Sequence, residues 1–373
     1  MRAILTLLIA ALAPPAAAAN SSIQPAVQIE PPTRIEVIAA NLRHPWSFAF
    51  LPGGAVLVTE RSGTLKRIEA GRVTPVTGVP PVLTGGQAGL FDIALHPDFA
   101  RNQLIYLSLA HGTKAANATR IVRARLAGHA LTDVTPLYTA TPMKSGPVHF
   151  GARMAFLPDQ TLLLTTGDGF DWRESAQKLE SPLGKVMRLT ADGKVPADNP
   201  FISSATARST IFSYGHRNPQ GLAYDPVRRL IFSHEHGPKG GDEINILTPG
   251  ANYGWPIATY GMDYSGATIS PFTAYKGTTQ PLLHWTPSIA PSGLAIYYGA
   301  MFPEWQGDLL VGALVNKEVR RIHLSADGRK VLSQHPMFRE AGARIRDIRI
   351  APDGAIWLIT DEEKGQVLRV TRR

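Results

Sequence analysis

"IRDIRIAPDGAIWLITDE", residues 345 to 362, decides the fold. It alternates apolar with polar side chains, turns at Pro352–Asp353–Gly354, and resumes as a second β-rich string. Alternation with a period of two marks a strand that buries one face. A Pro, Asp and Gly cluster between two such runs is a turn. The same phrase occurs five more times. "WSFAFLPGGAVLVTE" starts at Trp46, "FDIALHPDFARNQLIYLSL" at Phe91 and "ARMAFLPDQTLLLTTGD" at Ala152. "GLAYDPVRRLIFSHE" starts at Gly221 and "GLAIYYGAMFPEWQGDLLVGAL" at Gly293. The gaps between turn prolines run from 45 residues (Pro52 to Pro97) to 77 (Pro226 to Pro303).

A strand–turn–strand phrase repeated six times predicts radial repetition of small sheets. The expected fold is all-β: a six-bladed β-propeller with four-stranded antiparallel blades, one domain over residues 34–373. Each blade buries its faces only against its neighbours. Two sandwiches in tandem would match the strand count but not the sixfold phrase. In a propeller the inter-strand loops gather over an axial mouth, where a ligand is expected.

Composition narrows the function. The 373 residues suffice for one large core. The N-terminus, MRAILTLLIAALAPPAAAAN, has one arginine, a short apolar run and small residues suited to cleavage. It predicts a cleaved signal peptide over 1–19, a flexible leader over 20–33, and a periplasmic or secreted protein. No other stretch is apolar for long enough to span a membrane. Cysteine is absent, so packing or bound ions replace disulfides. The formal charge is +9, or +8 without the signal's arginine. The basic residues form no run and no stripe interleaved with aromatics, which speaks against nucleic acid. An anionic small ligand held by a few arginines fits better. Monomer and homodimer stay open.

Three stretches carry candidate chemistry. In "GPVHFGARMAFLPD", His149 stands at a loop-to-strand junction, where an imidazole can exchange a proton near neutral pH. In "YGHRNPQG", Arg217 and Asn218 place a fixed cation beside an amide, suited to a developing oxyanion. A turn capped by Asn218 accounts for the same residues. In "ARIRDIRIAPDG", Arg344 and Arg346 are two apart and are expected on one strand face. Two guanidiniums there repel unless an anion bridges them. Asp347 is expected to face away. Lys317, in "GALVNKEV", ends the equivalent run of the preceding repeat.

"FSHEHGPKGGDEINIL", 232 to 247, admits a zinc site on His234 and His236, a phosphate loop or a polar surface turn. No third ligand follows at a metalloprotease spacing. "GPKGG" lacks the Lys–Ser/Thr ending and the helix of a phosphate loop. "GDGFDWRE" at Gly167 misses the ligand order of a calcium loop, and no Gly-x-Ser-x-Gly elbow is present.

Taken together, "QAGLFDIALHPDF", "HFGAR", "YGHRNPQG", "EHGPKGGDEINIL", "NYGWP" and "RIRDIRIAPDG" occur in an order that resembles the soluble quinoprotein glucose/sorbosone dehydrogenase family, in its aldose sugar dehydrogenase branch. The resemblance runs from about Ile35 to the C-terminus. It implies a propeller that oxidises the anomeric carbon of aldoses to lactones with pyrroloquinoline quinone (PQQ) and calcium, then passes electrons to an external acceptor. It further implies His149 as general base and Arg217 against the quinone oxygen. Gln87, Asn218, Tyr264, Lys317, Arg344 and Arg346 would contact the cofactor. Backbone oxygens of Gly237 and Pro238 would hold its calcium, with Glu243 and Tyr253 at a second ion.

Two departures stand out. The family phrase His-x-Gly-Gly-Arg has Ala152 at its second glycine; if that position needs a positive φ, alanine costs on the order of 1 kcal/mol. Val148 replaces an aspartate that helps glucose enzymes bind sugar, which favours a broader aldose range. The rival functions are a calcium-dependent lactonase-type hydrolase and a propeller that binds a ligand or partner without catalysis.

Overall fold

The structure is a computed structural model and describes residues 30–373. The expected signal, and the leader up to residue 29, lie outside the described residues.

Six four-stranded antiparallel sheets follow one another along the chain. Blade 1 spans 45–76, blade 2 90–139, blade 3 154–214, blade 4 219–285, blade 5 291–337 and blade 6 345–372. Blade 6 receives its outermost strand from Thr33–Leu42, which pairs with Gly365–Arg372. The propeller therefore starts at Thr33, one residue inside the expected leader. Each quoted phrase supplies the first two strands of one blade. The innermost strands are Pro45–Phe50, Leu90–Leu95, Met154–Phe156, Pro219–Asp225, Pro291–Ile296 and Ile345–Ile350, and each touches the next around a closed ring.

Apolar side chains on facing blades make the core. Leu57 of blade 1 packs with Leu90, Ile105 and Leu107 of blade 2, and Tyr297 of blade 5 packs with Ile348 and Leu358 of blade 6, all at most 1% exposed. Each such side chain contributes roughly 1.5–3 kcal/mol by leaving water, so the ring coheres without disulfides.

Five of the six innermost strands shift register close to their start, between Pro45 and Ser47, Leu90 and Ile93, Pro219 and Gly221, Pro291 and Leu294, and Ile345 and Asp347. Such bulges re-aim side chains. Trp46, Gln220 and Arg346 sit in three of them, and all three line the axial cavity. Beneath it the axis is filled by paired charges. Arg153 Nη1 lies 3.0 Å from Asp347 Oδ1, Arg349 Nη2 3.1 Å from Asp92 Oδ1, and Ser47 Oγ sits within hydrogen-bond distance of both carboxylates. Buried charges are tolerated when matched in this way.

Candidate active site

The innermost strands begin, and the second strands end, at the same end of the ring. A cavity of about 230 Å³ opens there, lined from five blades and by Phe150 and Gly151 of the loop entering blade 3, with Gln87, Asn218, His236, Arg344, Arg346 and Asp361 among its walls. A second hollow of about 280 Å³ is lined by Asp168, Phe170, Arg217, Pro238, Trp255 and Tyr264. A small gap bordered by Arg217 and His236 adjoins both.

His149 is 5% exposed and takes φ +49, with its main-chain N–H donating to Gln87 Oε1 at 2.9 Å. Its Nδ1 lies 2.7 Å from Asp168 Oδ1. That carboxylate also accepts from the Phe170 amide and, at 2.8 Å, from Trp255 Nε1. An acceptor on Nδ1 fixes the proton there and leaves Nε2 free to take one. Burial pushes His149 below the usual imidazole range. The Asp168 hydrogen bond opposes this, while the charges of Arg217 and Lys144 add to it. Gly167 permits the approach, because a Cβ there would stand 2.2 Å from the His149 carbonyl oxygen. Ala152 takes φ +79 and is fully buried, so the substituted glycine position does require a left-handed backbone.

Arg217 lies 5.4 Å over the Trp255 ring and 6.0 Å from that of Tyr264. Its Nη1 donates to the Gly237 carbonyl at 2.7 Å and to that of His236 at 3.1 Å. Its amide donates to Glu235, whose other oxygen meets His216 Nδ1, with Ser213 Oγ on His216 Nε2. That Ser–His–Glu line has no access for a substrate, since Ser213 and His216 are fully buried; it braces Arg217. Asn218 Oδ1 accepts from the Gly151 amide, tying Arg217's turn to His149's loop.

In the 232–247 turn, His234 and His236 are pushed down to about 3 and 4, chiefly by burial, and each rests against a blade 5 carbonyl. Among the described residues no group of three or more His, Cys, Asp or Glu is placed to hold an ion. Gly237 is the close-packed point, since a Cβ would lie 2.2 Å from the Gly240 carbonyl. Glu243 faces Glu235 directly across the ladder, and burial, then that neighbouring charge, raises it to about 8. Tyr253 spends its hydroxyl on the Ile246 carbonyl and the Thr248 amide, so any cation contact from this residue falls to its main chain.

Arg344 and Arg346 meet at the cavity for a different reason from the one expected. The strand begins at Ile345 with a bulge at Arg346, so simple alternation does not align them. What brings them together is Asp361, which pairs with Arg346 and lies 3.9 Å from Arg344. Burial alone would raise Asp361, but Arg346, Arg61 and His44 hold it well below the usual carboxylate range. Asp347, as expected, bridges neither; it serves the axial network. Lys317 sits at φ +52 in an exposed turn and is not among the cavity walls. Tyr264 is 60% exposed at the mouth, stacked on Phe170.

Asp168 and Asp361 escaped the sequence reading, although a signal was present. Four of the six second strands end in an acid or reach one within two residues: Glu60, Asp168, Glu235 and Asp361. All four are buried, and each binds a neighbouring loop.

A histidine–carboxylate pair and an arginine-lined axial cavity thus stand at one end of a closed six-bladed ring. The sequence profile of the Glucose / Sorbosone dehydrogenase family matches residues 42–369, and the chain belongs to that family of sugar dehydrogenases. It is 42% identical to the aldose sugar dehydrogenase YliI of Escherichia coli, over 91% of this chain and 93% of that protein. It superposes on the solved apo form of the soluble E. coli aldose sugar dehydrogenase with a TM-score of 0.88 at 40% identity, covering 92% and 100% of the two chains. The PQQ-bound aldose sugar dehydrogenase of Streptomyces coelicolor superposes with a TM-score of 0.73 at 32% identity, covering 91% and 100%.

Proposed function

We propose that this chain oxidises the anomeric carbon of aldose sugars to lactones with PQQ and calcium, and that it works in the periplasm or outside the cell. The observation that carries the reading is the His149–Asp168 pair beside a cavity lined by Arg61, Arg344 and Arg346. The donor set suits both groups. One carboxylate, Asp361, faces these three guanidiniums, which leaves positive charge for the carboxylates of PQQ. Oxygen donors suit calcium: the Gly237 carbonyl already attracts the Arg217 cation, and Pro238 follows it. The facing Glu235 and Glu243 repel one another, a tension a second cation would relieve.

When bound, PQQ supplies the hydride acceptor, and calcium, as a Lewis acid, strengthens it. The chain's own residues do the rest. His149 Nε2 takes the proton of the anomeric hydroxyl, and Asp168 stabilises the imidazolium that forms. Arg217 presents a fixed positive charge to developing oxyanion character, and Asn218 and Gln87 hold the two loops in register. Phe170 and Tyr264 offer the sugar an apolar wall at the mouth. Electrons then leave to an external acceptor. A lactonase-type site would need carboxylates around its axial metal, whereas these walls are cationic.

The test mixes purified cofactor-free protein with calcium and PQQ and follows dye reduction over a panel of aldoses. Turnover is expected with several sugars. No activity and no tight quinone binding would overturn the proposal, and binding without turnover would favour a non-catalytic propeller. His149→Ala should abolish turnover and leave quinone binding intact; parallel loss of both would take the base assignment away from His149.

A further inference from the structure

The loop that delivers His149 begins at a buried lysine with no carboxylate in contact. Lys144 is 4% exposed. Its Nζ donates to Asn117 Oδ1 at 2.8 Å and to the Gly146 carbonyl at 2.6 Å, and sits 4.2 Å over the Phe150 ring. Its main chain exchanges a pair of hydrogen bonds with Asn117, at the start of the strand Asn117–Ala127. Its stem packs on the Asp168 segment, since a Cβ on Gly169 would lie 2.5 Å from Lys144 Cδ. This ammonium is thus wedged between the loop carrying His149 and the loop carrying Asp168.

An ammonium this dehydrated needs a reason, because burying a charge on neutral acceptors alone is costly. Holding the loop does not require a charge; an apolar or amide side chain could fill the space. A charge does affect its titratable neighbours. We propose that Lys144 is a positioning residue that pins the His149 loop and also sets a fixed positive charge behind the His149–Asp168 pair, biasing the imidazole toward its proton-accepting form.

The groups facing His149 are Asp168, which favours the protonated ring, and Arg217 and Lys144, which disfavour it. Those facing Lys144 are Asp168 and Asp171. Arg217 is the stronger of the two cations and is also held by the Gly237 turn; Lys144 adds its charge to the same effect. Burial lowers Lys144 itself to about 8, with both aspartates opposing, so it keeps its proton through the neutral range. Without this charge, Asp168 would act with less opposition and draw a proton onto His149. A base protonated before the sugar arrives cannot take the hydroxyl's proton.

The consequence for catalysis rests on the role proposed for His149, but the test needs neither sugar nor cofactor. The His149 ring is titrated by NMR in the cofactor-free full chain, in wild type, Lys144→Met and Lys144→Arg. Lys144→Met should move the midpoint upward by about half a pH unit or more, a roughly threefold tighter proton. Lys144→Arg should stay at the wild-type value. The downfield Nδ1–H signal of the Asp168 hydrogen bond should persist in all three. Lys144→Gln, which keeps a donor for Asn117, replaces Lys144→Met if that variant fails to fold. An unchanged or lowered midpoint would overturn the proposal. So would a rise accompanied by loss of the Nδ1–H signal, which would assign the effect to displaced geometry. Failure of the dehydrogenase reading would show separately, as absent turnover with a normal His149 titration.

Discussion

Replacing Asp168 by asparagine separates charge from shape at the proposed base. The carboxylate receives three donors: His149 and the Phe170 amide on Oδ1, and Trp255 Nε1 on Oδ2. An asparagine can keep only one oxygen. The less costly orientation leaves its oxygen toward His149 and Phe170 and turns its NH2 against the Trp255 N–H. One buried donor then loses its partner, a cost of about 1–3 kcal/mol in stability. The tautomer of His149 is preserved, but the imidazolium formed in the reaction loses its counter-charge. A charged hydrogen bond contributes about 1.5–3 kcal/mol and a neutral one about 0.5–1.5. The difference of roughly 1–2 kcal/mol predicts a kcat about 5- to 30-fold lower. Asp168→Ala also frees the ring to rotate and should cost about 10²- to 10⁴-fold. Steady-state dye reduction with reconstituted enzyme measures the rates, and urea unfolding of the cofactor-free protein measures stability. The reasoning fails if Asp168→Asn keeps kcat within twofold, or if asparagine proves more damaging than alanine.

Other expectations follow from single residues. Glu243→Gln removes one of two facing buried carboxylates, so the unfolding midpoint in chelator should rise while the calcium-induced increase shrinks; thermal melts with and without calcium decide it. Ala152→Gly relieves a left-handed alanine, worth about 1 kcal/mol, but gives up a buried methyl and adds unfolded-state freedom. Its net change should be under about 1 kcal/mol by urea titration, and a larger loss would mean that the methyl's packing against Trp46, Phe91 and Phe150 dominates. Asp361→Asn leaves Arg344, Arg346 and Arg61 facing the cavity with no carboxylate, so PQQ should bind more tightly at low salt; equilibrium binding on the cofactor-free protein checks this.

The inner half of every blade was legible in the sequence because those strands are buried on both sides and announce themselves as apolar runs around a proline turn. The outer strands were not. Val331–Met337, for instance, alternates partly buried with exposed residues and contains a proline, so it reads as loop. The same contrast holds at the site. His149, Arg217 and Asn218 sit in turns whose local chemistry is unusual, and the structure brings them together with Gln87. Asp168 lies 19 positions from its imidazole partner, and only the glycine before it lets the two loops touch. Arg346 was found through an alternation that a bulge interrupts. Lys144 gave no local signal, because a lysine after Pro-Met resembles any exposed lysine until Asn117 folds over it.

The strand Thr33–Leu42 closes the ring by completing the blade that also bears Arg344, Arg346 and Asp361. Five walls of the cavity can form as the chain is made, but the sixth waits for the first strand to meet the last. On the proposed reading, cofactor binding is coupled to completion of the circle. A chain clipped near residue 40 would keep every residue of the site and still lose its grip on an anion. The seam on the outer rim is in effect the fastener of the pocket at the centre.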